Sequence, residues 1–221
     1  MALILHIDTA VEGASVCLAR EAALLQPAMT NRQKDQSGWL HTSIRQLMDG
    51  EHLGMDQLDA VAVTIGPGSY TGLRVGLSAA KGFCFALNIP LIAINTLEMM
   101  AFGVNRTEKD ALICPMIDAR RMEVFTAVYD NGLQQVMPPC AMILDGTNFV
   151  HLLADHKMVF SGNGSTKLKQ VLSHPNASFS TIVSTAEDMV PLAGRYFEEK
   201  RFENLAYTEP LYVKEFYSAA H

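Results

Sequence analysis

The sequence predicts an α/β protein with two lobes, each built on a mixed βββαβα sheet flanked by helices. Short apolar runs rich in β-branched residues alternate with stretches of helical spacing. This pattern starts again after a polar break near residue 105. The segments Ile4–Asp8 and Ile113–Asp118 are both apolar and both end in Ile-Asp. We therefore expect a duplicated fold with lobes at residues 1–104 and 105–221.

Composition and charge narrow the classes of function. The chain has 221 residues, of which 49% are hydrophobic and 18% charged, as expected for a compact globular protein. Its net charge is −6 and it has no run of Lys or Arg, which argues against independent binding of nucleic acid. No apolar run approaches about 20 residues, so no contact with a membrane is expected.

Cysteine usage and the amino terminus indicate a cytoplasmic protein. The four cysteines are scattered singly in apolar surroundings and have neither metal-ligand nor redox spacing, so we expect reduced thiols. A strand is predicted from residue 3 onwards, which leaves no room for a signal peptide.

The elements of the first lobe follow from periodicity and from turn residues. Strands are predicted where β-branched apolar residues cluster, and helices where apolar residues recur every three or four positions. Asn95, with Glu98 three residues later, has the form of a capping box that starts a helix. The predicted order is strands at Leu3–Ile7, Ala14–Arg20 and Ala22–Met29, a helix at Gln36–Met48, a strand at Ala60–Ile65, a helix at Thr71–Leu87, a strand at Leu91–Ile94, and the helix after Asn95.

The helix at Thr71–Leu87 is apolar on almost every side. It follows the turn Gly66-Pro67-Gly68, in which glycine permits positive φ and proline removes a backbone donor. Gly72 and Gly76 each lower helix propensity by about 1 kcal/mol relative to Ala, which indicates a close approach by another backbone. A helix of this kind must be covered on two sides. Its own sheet would cover one side, and either a second layer of the chain or another protein would cover the other.

The second lobe repeats the pattern of the first. The strand ending at Asp118 precedes a hairpin with Asn131-Gly132 as its turn. The predicted elements are strands at Glu123–Tyr129 and Leu133–Leu144, a helix at Thr147–Ala154, a strand at Met158–Phe160, a turn at Ser161–Gly164, a helix at Ser165–Leu172, a strand at Phe179–Val183 and a helix at Thr185–Lys200.

Two lobes that each open with a strand ending in Asp resemble the duplicated, ribonuclease H-like architecture of the actin, Hsp70 and sugar-kinase superfamily. That superfamily uses acids equivalent to Asp8 and Asp118 to hold magnesium-bound phosphate, with glycine two residues later. Here Ala10 and Arg120 stand in the glycine positions. An Asp that merely ends a strand in a turn is the alternative.

Gly162 and Gly164 lie where this superfamily places its adenosine turn. With Asp8 and Asp118 they form the candidate nucleotide cleft, which would bind ATP or ADP weakly. A plain glycine turn is the alternative, and the sequence alone favours it. The segment Gly66–Gly72 could cradle an anion at a helix N-terminus, but it lacks the Gly-Lys-Ser/Thr of a Walker A loop.

The sequence contains no convincing catalytic motif. The histidines form no HxxxH or HExxH pair, and Ser69 does not stand in a GxSxG nucleophile elbow. The histidines are His6, His41, His52, His151, His156, His174 and His221.

Five segments together resemble the TsaB (YeaZ) family, part of the wider glycoprotease family. They are Ile4–Thr9, Gly66–Arg74 (GPGSYTGLR), Asn88–Leu91, Asp118–Phe125 and Glu209–Tyr212. The resemblance implies an actin-like two-lobed fold and a role in making threonylcarbamoyladenosine in tRNA. It also implies a heterodimer with the related catalytic subunit TsaD, which the ATPase TsaE joins.

In TsaD the corresponding segment reads Val-Asn-His-Leu-Glu-Gly-His, and its two histidines hold the catalytic metal. Here Thr96 and Met100 stand in those positions, and neither replaces imidazole well. The resemblance therefore implies a pseudo-enzyme subunit without a metal site. We expect such a chain to touch tRNA only through the complex.

Because the chain lacks the metal ligands, we expect the doubly apolar helix to be a docking surface for TsaD. When the protein is alone, the same helix would bind a second copy. A small-molecule kinase using the candidate nucleotide cleft is the alternative function, and a metalloprotease lacks its ligands. The predicted partner interface comprises Leu40, Ile44, Met48, Gly72, Leu73, Gly76, Ala79, Ala80 and Phe83.

Overall fold

The structure, a computed structural model, describes residues 2–11, 13–21, 23–30 and 36–214. Predicted elements or lobes begin or end at Met1, at Ala22 and within residues 215–221. These residues, which include His221, lie outside the described ones. Within the described ranges, no helix is long and apolar enough to cross a membrane.

The first lobe contains every element that the sequence predicted, with differences only at the ends. Asn88 adopts the left-handed conformation that ends the long helix, with φ +54°. A short 3-10 turn at Met55–Gln57 was not predicted. The elements are β1 (Leu3–Asp8), β2 (Ala14–Arg20), β3 (Ala23–Thr30), α1 (Gln36–Gly50), β4 (Ala60–Gly66), α2 (Tyr70–Leu87), β5 (Leu91–Asn95) and α3 (Thr96–Asn105).

The capping box predicted at the start of α3 is half right. Asn95 Oδ1 accepts hydrogen bonds from the amides of Leu97 (2.8 Å) and Glu98 (3.4 Å). The Glu98 carboxylate instead accepts the hydroxyl of Tyr196 at 2.9 Å and lies 3.4 Å from Arg195. The Glu98 side chain therefore contacts residues of α6, which are distant in the sequence, and does not cap α3.

The second lobe matches its predicted elements less closely toward the end. The last strand was predicted at Phe179–Val183 but lies at Ala177–Phe179, so the two ranges share one residue. The last predicted helix, Thr185–Lys200, begins as a 3-10 turn at Ala186–Met189. The elements are β6 (Leu112–Asp118), β7 (Glu123–Tyr129), β8 (Gln135–Ile143), α4 (Val150–Asp155), β9 (Met158–Ser161), α5 (Ser165–Val171), β10 (Ala177–Phe179) and α6 (Val190–Glu198).

Pro191 explains why α6 starts late. Proline suits the first turn of an α-helix because its missing N–H would have no intrahelical acceptor there. Thr185 and Asp188 cap the preceding 3-10 turn: the Thr185 amide donates to Asp188 Oδ2 at 3.1 Å, and Thr185 Oγ1 accepts the Glu187 amide. The single predicted helix is therefore two short elements.

The two sheets have the same strand order and the same pairing directions. The first is β3-β2-β1-β4-β5 and the second is β8-β7-β6-β9-β10. The central strand of each, β1 or β6, is antiparallel to the strand that follows it and parallel to β4 or β9. Asp8 and Asp118 end these two central strands. The predicted duplication is confirmed.

The helices divide between an inner and an outer layer. On the outer face of the first sheet, α1 and α2 share a core with side chains such as Leu5, Leu47 and Leu77. Between the two sheets lie α3 and α6, whose Leu97 and Leu192 belong to one cluster with residues of both sheets. The predicted lobe boundary at residue 105 stays a prediction, because α6 follows the second sheet in the chain yet packs against β5 of the first.

The C-terminal segment (residues 203–214) ties the first lobe to the second and was not predicted as a structural unit. Its Leu211 amide donates to Ile65 O at 2.7 Å, at the end of β4. Lys81 of α2 donates to Thr208 O at 3.1 Å. Lys214 then reaches Glu123 of the second lobe at 2.7 Å. The segment therefore runs along α2 and crosses between the lobes.

Candidate functional site

The glycines of α2 bring the helix onto the end of β1. A Cβ added to Gly72 would lie 2.0 Å from the carbonyl oxygen of Thr9, and one added to Gly76 would lie 2.3 Å from Thr9 Oγ1. Thr9 Oγ1 also donates to Gly72 O at 2.7 Å. Gly68 has the same need, because its Cβ would lie 2.2 Å from Ala10 O. These glycines therefore serve a contact within the chain.

Three amides at the start of α2 already have acceptors. The Gly72 amide donates to Ser69 Oγ at 3.2 Å, and the Leu73 amide donates to Ser69 O at 2.8 Å. The Ser69 amide donates to Ala10 O at 2.6 Å. An anion bound by these three amides would have to displace the bonds they already make.

The chain's own core buries seven of the nine residues of the predicted partner interface. The apolar stripes of α1 and α2 point at the first sheet, and the two glycines are covered by Thr9. Only Ala79 and Phe83 are half-exposed, and for these two residues the interface stays a prediction. The buried ones are Leu40, Ile44, Met48, Gly72, Leu73, Gly76 and Ala80.

A groove runs along the exposed side of the same helix and encloses about 820 Å³. We call its lining the α2 face. The rings of Phe83 and His41 meet there with centroids 5.9 Å apart, so α1 forms one wall. Gly82 leaves the groove open, since nothing lies within 4 Å of an added Cβ. The α2 face consists of His41, Tyr70, Thr71, Arg74, Val75, Ser78, Ala79, Gly82, Phe83 and Ala86.

Arg74 links the α2 face to the C-terminal segment. Its guanidinium lies 3.9 Å above the ring of Tyr70, and its Nε donates to the hydroxyl of Tyr212 at 3.1 Å. The two tyrosine rings are 5.6 Å apart. Sequence reasoning missed this cluster because 138 positions separate Arg74 from Tyr212, although both lie in segments that carry the family resemblance.

Phe85 extends the apolar surface beyond the groove. It lies on α2 seven residues after Ser78, hence close to the same side of the helix, and its side chain is 83% exposed. Exposure of the Phe85 ring to water is unfavourable in free energy, and burial against a partner would remove that cost.

Asp8 is buried and held by groups of its own chain. Thr64 Oγ1 donates to Asp8 Oδ1 at 2.7 Å, and the Ala10 amide donates to the same oxygen at 3.0 Å. Burial raises the pKa of Asp8, these hydrogen bonds partly offset the rise, and the carboxylate of Asp188 adds to it.

Asp118, the equivalent acid of the second lobe, has the opposite environment. Partial burial raises its pKa, but hydrogen bonds from Lys167 Nζ (2.5 Å) and the Arg120 amide (2.6 Å) outweigh it, so the pKa lies below the ordinary value. The Asp118 amide donates to Asn163 Oδ1 at 2.8 Å, which ties β6 to the turn after β9.

Gly162 and Gly164 hold that turn against β6. A Cβ on Gly162, whose φ is +83°, would lie 2.4 Å from Met116 O, and one on Gly164 would lie 3.1 Å from Ile117 C. An interlobe cleft of about 360 Å³ is lined from one side by residues such as Gly68 and from the other by residues such as Arg120. Among the described residues that line it are none of the four candidate nucleotide residues, whose role stays a prediction.

Thr96 and Met100, which stand where the resemblance places metal ligands, are core residues. Thr96 is fully buried at the start of α3, and its Oγ1 has no hydrogen-bond partner in the part of the chain that the structure describes. Met100 is 5% exposed and packs against the turn at Gly162. The described ranges contain no group of three or more neighbouring His, Cys, Asp or Glu side chains that could hold a metal ion.

Comparison with known proteins gives a family and a function class. The family model described as TsaD, tRNA N6-adenosine threonylcarbamoyltransferase, matches residues 27–208 of the chain. The tRNA threonylcarbamoyladenosine biosynthesis protein TsaB of Bacillus subtilis (strain 168) is 33% identical over 174 residues, which cover 76% of this chain and 74% of that protein. The protein of the same name from Escherichia coli (strain K12) is 27% identical over 224 residues, 96% of this chain and 94% of that one.

A solved structure has the same fold. The crystal structure of an uncharacterised Pseudomonas aeruginosa protein with similarity to peptidase YEAZ superposes with a TM-score of 0.86 at 24% identity. The superposition covers 97% of this chain and 100% of that one. The duplicated actin-like fold predicted from the sequence is confirmed.

Proposed function

The chain belongs to the TsaB (YeaZ) family, within the wider TsaD family, and from this premise we propose that it is a non-catalytic subunit for tRNA threonylcarbamoyladenosine synthesis. In that role it binds TsaD, the metal-bearing paralogue that transfers the threonylcarbamoyl group to tRNA adenosine, and keeps it in a working conformation.

The α2 face supports this proposal, and it is the observation that carries it. Half-exposed Phe83 and Ala79, together with exposed Phe85, give α2 an apolar outer side that the first sheet does not cover. A related subunit built on the same fold would bring its own outer helix layer, so helix could pack on helix across the groove. The cluster of Arg74, Tyr70 and Tyr212 borders this surface with the aromatic and guanidinium groups that dominate protein interfaces.

The positions of Thr96 and Met100 support a non-catalytic role. Both side chains are buried, and Met100 belongs to the core between the two sheets. A threonine hydroxyl and a thioether thus take the places of two imidazoles. Neither suits the metal that histidine would hold at this position.

The same surface serves the other parts of the proposal. When the protein is alone, two copies pair through the α2 face, because an exposed apolar groove is covered by whichever complementary surface is present. TsaE, the ATPase, joins this heterodimer. With a net charge of −6 the chain touches tRNA only through the complex, which works in the cytoplasm.

A matched pair of substitutions tests the partner surface. Ala86→Arg places a long cation in the groove, whereas Ala154→Arg makes the same change at an exposed position of α4 in the other lobe. We expect Ala86→Arg to lower the affinity for purified TsaD roughly hundred-fold in titration calorimetry, as substitution at the centre of an interface does. Ala154→Arg should leave that affinity unchanged, and both variants should keep the unfolding midpoint of the parent.

Activity separates binding from chemistry. Mixed with TsaD, TsaE, tRNA and the threonylcarbamoyl donor, Ala86→Arg should support little modification, and a large excess of the variant should restore it. Equal affinity of the two arginine variants for TsaD would refute the docking surface. Modification of tRNA by the purified chain alone would refute the non-catalytic role.

A further inference from the structure

A cavity of about 530 Å³ lies on the inner face of the first sheet, away from the α2 face. Sheet residues form one wall and α6 forms the other, and most of the lining is apolar. The volume lies in the range of small-molecule sites in proteins. The lining comprises Ala2, Ile4, His6, Ala19, Glu21, Val190, Pro191, Gly194, Arg195, Phe197 and Glu198.

His6 is the buried polar group of this cavity. Side chains alternate along β1, so His6 shares a face with Ile4, while Leu5 and Ile7 point to the α2 side. The imidazole is 1% exposed, and neither ring nitrogen has a hydrogen-bond partner among the described residues. An unpartnered polar group at this depth costs folding free energy unless a ligand or water satisfies it.

The imidazole is neutral at pH 7. Burial lowers the pKa of His6 to about 4, and the nearby backbones of Cys17 and Ile4 offset only part of that effect without meeting hydrogen-bond geometry. A neutral imidazole offers one donor and one acceptor, so it matches a hydroxyl group, which is also both.

The rim of the cavity carries a cation that is paired with a carboxylate and a carboxylate that forms no ion pair with a described residue. Arg195 faces the carboxylate of Glu98 at 3.4 Å, which leaves little of its positive charge for a ligand. Glu198, an exposed lining residue on the next turn of the same helix, forms no ion pair with any described residue. Glu21 also lines the cavity. The rim therefore attracts a cation.

We propose that this cavity binds a small hydroxylated primary amine, whose hydroxyl bonds to His6, whose apolar body fills the cavity and whose ammonium group pairs with Glu198. Phenolic and other hydroxyl-bearing amines are the chemical class that meets all three requirements. The site is independent of the proposed docking of TsaD, because the first sheet separates it from the α2 face.

Three probes of matched size test the chemistry on the full chain. Tyramine carries the hydroxyl and the amine, phenethylamine lacks the hydroxyl, and 3-(4-hydroxyphenyl)propionate replaces the amine by a carboxylate. In ¹H–¹⁵N correlation spectra, titration with tyramine should shift the amides of residues that line the cavity, such as Ala19 and Gly194. Phenethylamine should bind about ten-fold more weakly, as expected for the loss of a hydrogen bond to a buried group. The propionate should bind least.

Variants then assign the two polar contacts. Glu198→Gln should lower the affinity for tyramine about five-fold, as expected for the loss of a partly exposed ion pair. Glu199→Gln, at the adjoining exposed residue, should leave that affinity unchanged. His6→Phe should make tyramine and phenethylamine bind alike. If His6→Phe does not fold, the ¹⁵N chemical shifts of the His6 ring in the parent protein report the contact, since a hydroxyl ligand alters them and phenethylamine does not.

Three results would overturn the proposal. One is equal affinity for the three probes, or no binding of tyramine at all. Another is tyramine-induced shifts confined to the α2 face. The third is an equal loss of affinity in Glu198→Gln and Glu199→Gln. Each of these results leaves the binding of TsaD unaffected, so it is distinguishable from a failure of the proposed function.

Discussion

In the first lobe β4 leads through Gly66–Ser69 into α2, and in the second lobe β9 leads through Gly162–Ser165 into α5. The first residue of each turn is a glycine at positive φ, +123° and +83°. The third is a glycine whose added Cβ would meet the end of the central strand, Ala10 O at 2.2 Å or Ile117 C at 3.1 Å. The turns serve the same purpose, which is to pass the chain closely over that strand.

The helices that follow these turns differ. Residues 70–87 of α2 form 18 residues of helix, whereas α5 has 7. The preceding pair differs in the same way, with 15 residues in α1 and 6 in α4. Both sheets have the turn, but among the described residues the long outer helices lie on the first lobe, where they line the open apolar groove of the α2 face. The two lobes therefore share the turn and differ in the length of their outer helices.

The largest expected effect breaks the close approach of α2 to β1. Gly72→Ala adds a Cβ 2.0 Å from the backbone carbonyl of Thr9, which cannot move without disturbing β1. We expect the free energy of unfolding to fall by about 3 kcal/mol, as for overpacking in a core. Gly82→Ala, on the same helix with nothing within 4 Å, should instead gain up to about 1 kcal/mol of helix propensity. Urea unfolding followed by circular dichroism measures both, and equal stability of the two variants would contradict this account.

The second prediction exchanges equivalent residues of the two central strands. His6 lies two residues before Asp8, as Met116 lies two residues before Asp118. The pKa of His6 is about 4 in the folded chain and about 6.5 when unfolded. Below pH 6.5 the unfolded chain therefore binds the proton while the folded chain does not, so stability falls as pH falls and the loss is complete below pH 4.

His6→Met should abolish that loss. At pH 5 the parent should have lost about 2 kcal/mol of stability at this residue, and the variant none. His151→Met, at an exposed position of α4, is the control and should follow the parent. Urea unfolding between pH 7.5 and 4.5 gives the slopes, and parallel slopes for parent and His6→Met would count against a buried neutral imidazole.

The third prediction compares the outer sides of α2 and α5. Phe83→Ala removes a ring from the α2 face, while Val171→Ala shortens a 40% exposed side chain at the end of α5. We expect Phe83→Ala to lower the affinity for TsaD about ten-fold, which is the effect of removing one aromatic contact. Val171→Ala should leave that affinity unchanged. Titration calorimetry at one ionic strength provides the comparison. A larger loss with Val171→Ala would move the partner surface to the other lobe.

The smallest expected effect concerns the two strand-end acids. Carboxyl ¹³C titrations should place the pKa of Asp8 above its ordinary value and that of Asp118 below it. Lys167→Met removes the cation 2.5 Å from Asp118, so the pKa of Asp118 should rise while that of Asp8 stays where it is. Two acids that titrate alike would show that their environments are equivalent after all.

Local patterns in the sequence determined the duplicated fold. The strand ends at Asp8 and Asp118, the strand at Glu123–Tyr129 and the C-cap at Asn88 all follow from hydrophobic periodicity and turn chemistry, which act between near neighbours. The prediction failed between residues 177 and 190, where the position of β10 and the break before α6 depend on packing against distant elements.

Only the tertiary structure decided which apolar residues a partner could reach. The sequence showed that α2 is apolar on two sides, but Leu73 and Ala80 face the sheet while Ala79 and Phe83 face outwards. The meeting of Arg74 with Tyr212 and the cavity above His6 likewise join segments far apart in the chain. Periodicity fixes how residues are arranged around a helix, whereas the direction of its buried side depends on the sheet that the whole chain assembles.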